Sequence, residues 1–393
     1  MLKIKTHNQI AVAGLDRLPR DRYEVGTEIS DPDGLLLRSH ALQVEELTPS
    51  VRAVARAGAG VNNIPVEACT EKGVVVFNTP GANANSVKEL VLAGLLLAAR
   101  DLFGGMRFVA DLPANLNEED MNTQVEAEKK KFRGTEIKGK ILGVLGLGAI
   151  GSRVARAALD LGMDVVGYDP AISVDAAWQL PSEVQRVENM QSLFARADYV
   201  TLHVPLLEAT RGMINAEKLA TFKQGAVLLN FSRQPIVESV ALKEALDTGR
   251  IGMYIADFPV PELAGHAAVR LMPHLGASTD EAEENCAIMA AQQLADFLEN
   301  GNIVNSVNFP RVRLARSKAY RLALTNQNVP RALGNITSVL ADRNINVVDM
   351  INQSRETVAY NLIDIETEPD AELLAELESI DSVINVRVFG RTG

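Results

Sequence analysis

Short apolar runs separated by polar, helix-compatible stretches fill most of the chain. Over roughly the first ninety positions, apolar runs at residues 9–14, 35–40, 51–58 and 74–80 predict strands. They are continuous rather than alternating, which predicts a parallel sheet covered on both faces. From residue 86 to 100 the period becomes helical, with Ser86 placed as N-cap and Glu89 three positions on, the spacing of a capping box. This helix is expected to bridge to a second domain. There the strand pattern is clearest, at residues 141–146, 164–169, 199–205, 226–232, 253–258 and 269–274, with helical segments between most of them. Such alternation predicts a doubly wound α/β sheet. A long helical stretch, 280–299, is expected to lead back to the first domain and make it discontinuous. After a basic stretch at 311–318 the pattern restarts as strand (320–325), helix (331–343), strands (346–353 and 359–365), helix (371–379) and strand (383–388), a βαββαβ order that predicts a small third domain.

Composition narrows the class. A chain of 393 residues suits two or three domains, and 47% hydrophobic with 23% charged residues is globular composition. The net charge of −11 argues against broad electrostatic binding to nucleic acid or to an anionic membrane. Two cysteines, Cys69 and Cys286, without metal-ligand spacing predict neither a disulfide framework nor a zinc site and suit a reducing cytoplasm. The longest apolar run, 90–99, falls short of the roughly 20 residues that span a bilayer. Residues 1–8 hold no apolar signal core.

The chemistry begins at Gly146-Leu147-Gly148-Ala149-Ile150-Gly151, a G-x-G-x-x-G that follows an apolar strand and opens a helical stretch. In that context the first glycine permits the tight turn, the second lets a pyrophosphate approach the backbone, and the third allows close helix–strand packing. Asp169 ends the next strand, where a carboxylate accepts ribose hydroxyls and repels a 2′-phosphate, so NAD is expected rather than NADP. Ligands of open α/β sheets collect outside the carboxyl ends of the strands. Those ends carry Pro205, Phe231-Ser232-Arg233, Asp257, and Pro273-His274 before Gly276, with Glu262 in the loop after Asp257. Oxidising a 2-hydroxy acid needs an anchor for the carboxylate and a base for the hydroxyl proton. Arg233 suits the first, His274 the second, and Glu262 could orient and stabilise a protonated imidazole. Plainer readings stand beside these: a surface ion-pair partner for Arg233 and a solvated loop residue for Glu262. His7, His40 and His266 read as structural histidines, and His203 as core or cofactor wall.

At these residues the chain resembles the D-isomer-specific 2-hydroxyacid dehydrogenases, over nearly its whole length, and within them the phosphoglycerate-oxidising branch. Asn230-Phe231-Ser232-Arg233 is similar to the family's arginine motif, although Ala-Arg-Gly is commoner than this Ser-Arg-Gln. Asp257 to Glu262 keeps the usual step of the glutamate motif, with Phe258-Pro259 in place of a frequent Val-Phe. Pro273-His274-Leu275-Gly276-Ala277-Ser278-Thr279 is similar to the phosphoglycerate branch.

The resemblance implies an Arg233/Glu262/His274 active site, with His274 the proton donor in the reductive direction and Asp257 near the nicotinamide amide. It implies cofactor contacts from Gly146, Gly148, Ala149, Ile150, Gly151, Asp169, Pro205, Phe231, Ser232, Arg233, Asp257, His274 and Gly276. It also implies substrate contacts from Arg56, Gly58, Ala59, Gly60 and Val61, whose loop and Asn78-Thr79-Pro80 look like the family's substrate loops. Arg38-Ser39 is a candidate phosphate site, and Lys129, in a basic run through Arg133, a second one that a neighbouring subunit could use.

The implied architecture is a Rossmann-like NAD domain (99–277) inserted in a flavodoxin-like substrate domain (1–98 and 278–312), followed by an ACT-like regulatory domain (319–393). Asn328 and Asn346 fall at the effector-contact positions of that last pattern, for an amino acid such as serine. There Pro330-Arg331 replaces the usual Pro-Gly, putting a side chain where the effector would approach. The implied activity is NAD-dependent oxidation of 3-phospho-D-glycerate by a homodimer or homotetramer. Alternatives are reduction of hydroxypyruvate, glyoxylate or 2-oxoglutarate, and a non-catalytic NADH-sensing protein. Closure of the cleft around cofactor and substrate is expected with the two-domain arrangement.

Overall fold

A computed structural model describes residues 1–391. The chain divides into two compact units, Met1–Asn83 with Asp280–Gly393, and Ala84–Thr279.

The first unit contains two sheets. One is a parallel sheet of β1 (Leu2–His7), β2 (Tyr23–Gly26), β3 (Gly34–Leu37), β4 (Ala53–Arg56) and β5 (Val75–Phe77). Its strand order is β2-β1-β3-β4-β5, the flavodoxin-like order. The expected strand at 9–14 is instead a loop and a short helix, Val12–Leu15. A Cβ on Gly14 would lie 2.6 Å from Ala287 backbone, so this apolar run packs flat on the helix Asp280–Asn300. The true first strand hides in the polar-looking N-terminus, where buried Ile4 and Thr6 alternate with Lys3 and Lys5. β2 was likewise not expected.

The second unit is built on seven parallel strands: β6 (Ile141–Leu145), β7 (Asp164–Tyr168), β8 (Gln185–Arg186), β9 (Tyr199–Leu202), β10 (Ala226–Asn230), β11 (Ile251–Ala256) and β12 (Val269–Leu271). They run β12-β11-β10-β9-β6-β7-β8, so the order reverses beside β6, the strand that leads into the glycine fingerprint. The helix Ala84–Ala99 lies within this unit. Val87, Val91, Leu95 and Ala99 share a core with Leu142, Val144, Leu229 and Phe231. Ser86 is not its N-cap. The helix starts at Ala84, and the buried Ser86 hydroxyl donates to the Gly276 carbonyl at 2.8 Å, while Glu89 accepts from Asn85 and Lys88.

The C-terminal segment has the expected βαββαβ order: β13 (Tyr320–Gln327), helix Ala332–Asp342, β14 (Val347–Arg355), β15 (Val358–Ile365), helix Ala371–Glu378 and β16 (Val383–Phe389). Its antiparallel sheet runs β14-β15-β13-β16. It packs within the first unit. One sheet face, with Ala323, Tyr360, Leu362 and Phe389, joins the core formed by Ile4, Phe77, Leu294, Phe297 and Phe309. Arg387 stacks on Phe297 at 5.0 Å, and Asn385 donates to the Gly73 carbonyl at 3.3 Å. The basic stretch before β13 is fixed by Arg321. That fully buried side chain donates to both Asp364 oxygens, at 2.6 and 3.0 Å, and to the carbonyls of Asn300, Leu314 and Ala315.

Candidate active site

In the second unit the candidate residues lie at the carboxyl ends of the parallel strands. Gly146 follows β6 at φ +92°, and a Cβ there would meet the His203 carbonyl oxygen at 2.6 Å. A Cβ on Gly151 would fall 1.9 Å from the Gly146 oxygen, so both positions accept only glycine. A Cβ on Gly148 would meet nothing within 4 Å, which leaves the open space that a pyrophosphate needs. Ala149 and Ile150 complete the turn into the helix Gly151–Asp160, whose N-terminus favours an anion. The Asp169 carboxylate accepts from the Leu147 amide at 2.8 Å and the Ala171 amide at 2.9 Å. It is thereby fixed against the fingerprint, with lone pairs left over for a ribose.

The arginine sits on a turn organised by Asn230. This fully buried side chain donates to the Arg233 carbonyl at 3.0 Å and to the Tyr254 hydroxyl at 3.2 Å, and its Oδ1 accepts from the Ser232 amide at 3.2 Å. Phe231 is buried, and the Ser232 hydroxyl donates to the Val204 carbonyl. The Arg233 guanidinium is exposed and, among the described residues, donates only to the neighbouring Ser232 carbonyl, at 2.7 Å, which leaves most of its donors for a ligand. Pro205 is exposed beyond β9, and its carbonyl accepts from Thr210 at 2.6 Å.

His274 is exposed, at φ +60°, a left-handed conformation that costs an ordinary residue about 1–3 kcal/mol. Asp257 holds it there. This carboxylate, 2% exposed, accepts from the Leu275 amide at 2.6 Å and from the Gly276 amide at 2.7 Å, the two amides that follow the histidine. The His274 ring rests on Phe258, centroids 4.9 Å apart. Glu262 is exposed on the short Pro261–Leu263 turn, and among the described residues it makes no hydrogen bond to His274. His203, just after β9, is half-buried. Its Nε2 pairs with Thr201 at 2.9 Å, its Nδ1 is buried without a partner, and burial pushes its pKa down to about 3. Lys129 and Lys131 pair with Glu126 and Glu128, so the basic run is partly self-neutralised. A cavity of about 290 Å³ lined by Lys140, Asp198, Tyr199 and Lys223 opens at the amino ends of the strands and touches none of these groups.

Residues 102–276 match the family described as D-isomer specific 2-hydroxyacid dehydrogenase, NAD binding domain. A D-3-phosphoglycerate dehydrogenase of Haemophilus influenzae is 33% identical over 370 residues, covering 91% of this chain and 86% of the relative. The chain belongs to the D-isomer specific 2-hydroxyacid dehydrogenase family. A D-3-phosphoglycerate dehydrogenase of Methanocaldococcus jannaschii is 35% identical over 84% of this chain, which spans only 61% of that relative's length. Among solved structures, NAD+-bound 3-phosphoglycerate dehydrogenase of Entamoeba histolytica aligns with a TM-score of 0.61 and 26% identity, over 78% of this chain and 98% of the other. NAD is the family's cofactor, and the open space at Gly148, the helix N-terminus and the anchored Asp169 fit it.

The first unit carries the candidate substrate loops. Arg38 follows β3 and is engaged by Glu283 at 2.6 Å. The Ser39 and His40 amides both donate to Asn8 Oδ1, at 3.1 and 2.6 Å. The Arg56 Nε donates to the Arg38 carbonyl at 3.0 Å, and a Cβ on Gly58 would lie 2.4 Å from that same guanidinium. Asn78 donates to the Ala59 carbonyl at 2.7 Å and the Thr79 amide to the Gly58 carbonyl at 3.1 Å, which fixes the loop through Gly60 and Val61. In the C-terminal sheet, exposed Asn328 donates to the Glu356 carbonyl at 3.0 Å, Asn346 is exposed, and Arg331 takes φ +71°.

Sequence reasoning missed the organising roles of Asn230 and Ser86, and it placed Asp257 at the cofactor without the two amides that it holds. An asparagine ending an apolar strand and a serine inside an apolar helix stripe are the signals that could have found the first two.

Proposed function

We propose that the chain oxidises 3-phospho-D-glycerate to 3-phosphooxypyruvate with NAD, the first step of L-serine synthesis. The observation that carries the dehydrogenase chemistry is the convergence, at the carboxyl ends of one parallel sheet, of the glycine fingerprint, the free Arg233 fork and the His274 turn clamped by Asp257. NAD, when bound, accepts the hydride from C2 of the substrate. Arg233 holds the carboxylate and polarises the C2 oxygen. His274 takes the hydroxyl proton in oxidation and returns it in reduction. Glu262 is assigned the stabilisation of the protonated imidazole, a pairing made only after the proton has moved. Pro205, Phe231, Ser232 and Gly276 form the cofactor wall in this reading.

The identity of the acid rests on the phosphoglycerate dehydrogenases to which the chain is similar. In this reading Arg56 and the amides from Gly58 to Val61 receive the carboxylate end. Arg38, exchanging Glu283 for a phosphate, works with Ser39, and the partner subunit's Lys129 joins them. Asn328 and Asn346 are the candidate positions for an amino-acid effector, with the Arg331 side chain standing where it would approach, and calorimetry with serine tests whether one binds. Exposed Leu102, Phe103, Met106 and Val109 on the helix Leu102–Ala110 support a homo-oligomer, which sedimentation measures. No helix of the described residues is long and apolar enough to cross a membrane, and the paucity of cysteine supports a cytoplasmic setting.

The deciding experiment is a substrate panel with the purified full chain, following the absorbance of reduced nicotinamide. NADH formation with 3-phosphoglycerate supports the reading. No turnover there, with rapid reduction of hydroxypyruvate, glyoxylate or 2-oxoglutarate, replaces the substrate and keeps the chemistry.

A further inference from the structure

His7 ends β1, His40 lies in the loop after β3, and Glu46 closes the short turn Val44–Glu46. His7, distant in sequence from the other two, meets them in the first unit. The two imidazoles stack with centroids 4.2 Å apart and planes within 10°. Glu46 reaches both: its oxygens lie 3.0 Å from His40 Nε2, and Oε1 lies 3.7 Å from His7 Nε2. One ligand atom from each residue falls within 4.8 Å of the other two.

A hydrogen-bonded His40–Glu46 pair accounts for part of this cluster and leaves its centre unexplained. His7 Nε2 is buried without a hydrogen-bond partner, and stranding such a group costs about 1–3 kcal/mol. The surrounding backbone is also built with care. Asn8, at φ +67°, holds the Ser39 and His40 amides, Asn63 donates to the His40 carbonyl at 2.6 Å, and the Gln43 amide donates to Glu46 at 2.8 Å.

We propose that His7, His40 and Glu46 form a binding site for a divalent transition-metal ion of the zinc class, with water completing the coordination. Two imidazoles and one carboxylate are a donor set that such ions prefer, whereas calcium and magnesium take oxygen ligands. The surroundings of His7 and Glu46 favour their ligating forms. Burial, with His40 alongside, lowers the pKa of His7 and so favours its neutral form. Burial works against ionisation of Glu46, but the Gln43 amide and the two imidazoles outweigh it and hold the carboxyl below its usual range. Tetrahedral ligation at ~2.0–2.1 Å puts neighbouring donor atoms roughly 3.3 Å apart. His40, whose side chain is 31% exposed, supplies the swing that brings the ring nitrogens together. The ion would tie the end of β1 to the loop that follows β3.

The test uses the full chain, freed of metal with a chelator and titrated calorimetrically with Zn2+. One equivalent should bind and raise the melting temperature. Affinity should fall ~10–100-fold or more in His40→Gln and in Glu46→Gln, and be unchanged in His266→Gln. No binding, or binding that both variants retain, overturns the proposal. Should either variant melt differently from the wild type without metal, diethylpyrocarbonate mapping of the wild-type protein decides. Zn2+ should protect His40 from modification, and equal labelling with and without Zn2+ overturns the site.

Discussion

Replacing Asp257 by Asn tests whether the proton carrier is held in place by the turn that follows it. The wild-type carboxylate is 2% exposed and accepts two amide hydrogen bonds, at 2.6 and 2.7 Å. Hydrogen bonds to a charged partner contribute about 1.5–3 kcal/mol each. The asparagine oxygen retains one of them. Its amide group then faces the other N–H, donor against donor, so about 2–4 kcal/mol is lost locally. The left-handed backbone at His274 stores about 1–3 kcal/mol of strain that this clamp opposes, so with the clamp weakened the turn relaxes and the imidazole leaves its working position. At ~1.4 kcal/mol per factor of ten, kcat should drop roughly 10- to 1000-fold with a smaller change in KM. Steady-state kinetics of Asp257→Asn, His274→Gln and the double variant provide the assay. If Asp257 acts through His274, the double variant is no slower than His274→Gln alone. An unchanged kcat in the single variant, or full additivity in the double, refutes the reasoning.

His274→Gln by itself should lower turnover ~10²–10⁴-fold without altering the melting temperature, as kinetics and calorimetry together would show. Asp169→Ala removes both the ribose acceptor and the anchor on the Leu147 amide, so NAD affinity should fall about 10–100-fold and discrimination against NADP should shrink, measured by titrating each cofactor. Arg321→Ala leaves Asp364 buried without its counter-ion and should cost about 3–5 kcal/mol in urea unfolding. His203 is neutral in the native state down to about pH 3, whereas in the unfolded chain it takes up a proton below its ordinary value of 6.5. The unfolded state therefore binds more protons between these limits, and stability falls as pH drops through them, by up to about 1.4 kcal/mol per unit. His203→Gln should lose less stability than wild type between neutral pH and pH 4.5, and parallel slopes would refute this assignment.

The parallel-sheet strands from β3 to β12 were legible because strands buried on both faces leave unbroken apolar runs, and only the two-residue β8 left no such trace. β1 was not legible, since Lys3 and Lys5 interrupt its buried positions and the stronger apolar signal at 10–13 belongs to a loop and a short helix. The fingerprint, Arg233 and His274 stood out because glycine, arginine and histidine at strand ends serve chemistry more readily than packing. Asp257 was visible as a residue and invisible as a clamp, because its partners are backbone amides, which every residue but proline supplies. The meeting of His7, His40 and Glu46 depends on β1 and β3 being neighbours in the sheet, a pairing that no local pattern encodes.

The burial of Tyr360, Leu362 and Phe389 among Phe297 and Phe309 bears on how this protein can be dissected. A chain cut before residue 319 would not be a simpler dehydrogenase with its regulator removed. It would expose aromatic surface on the first unit and leave the Gly301 carbonyl, which accepts from the Tyr360 hydroxyl at 2.8 Å, without its partner. Such a truncation invites aggregation, and lost activity in it would say nothing about regulation. Point substitutions on the exposed strand β14 are the cleaner way to silence the C-terminal sheet while keeping the catalytic units intact.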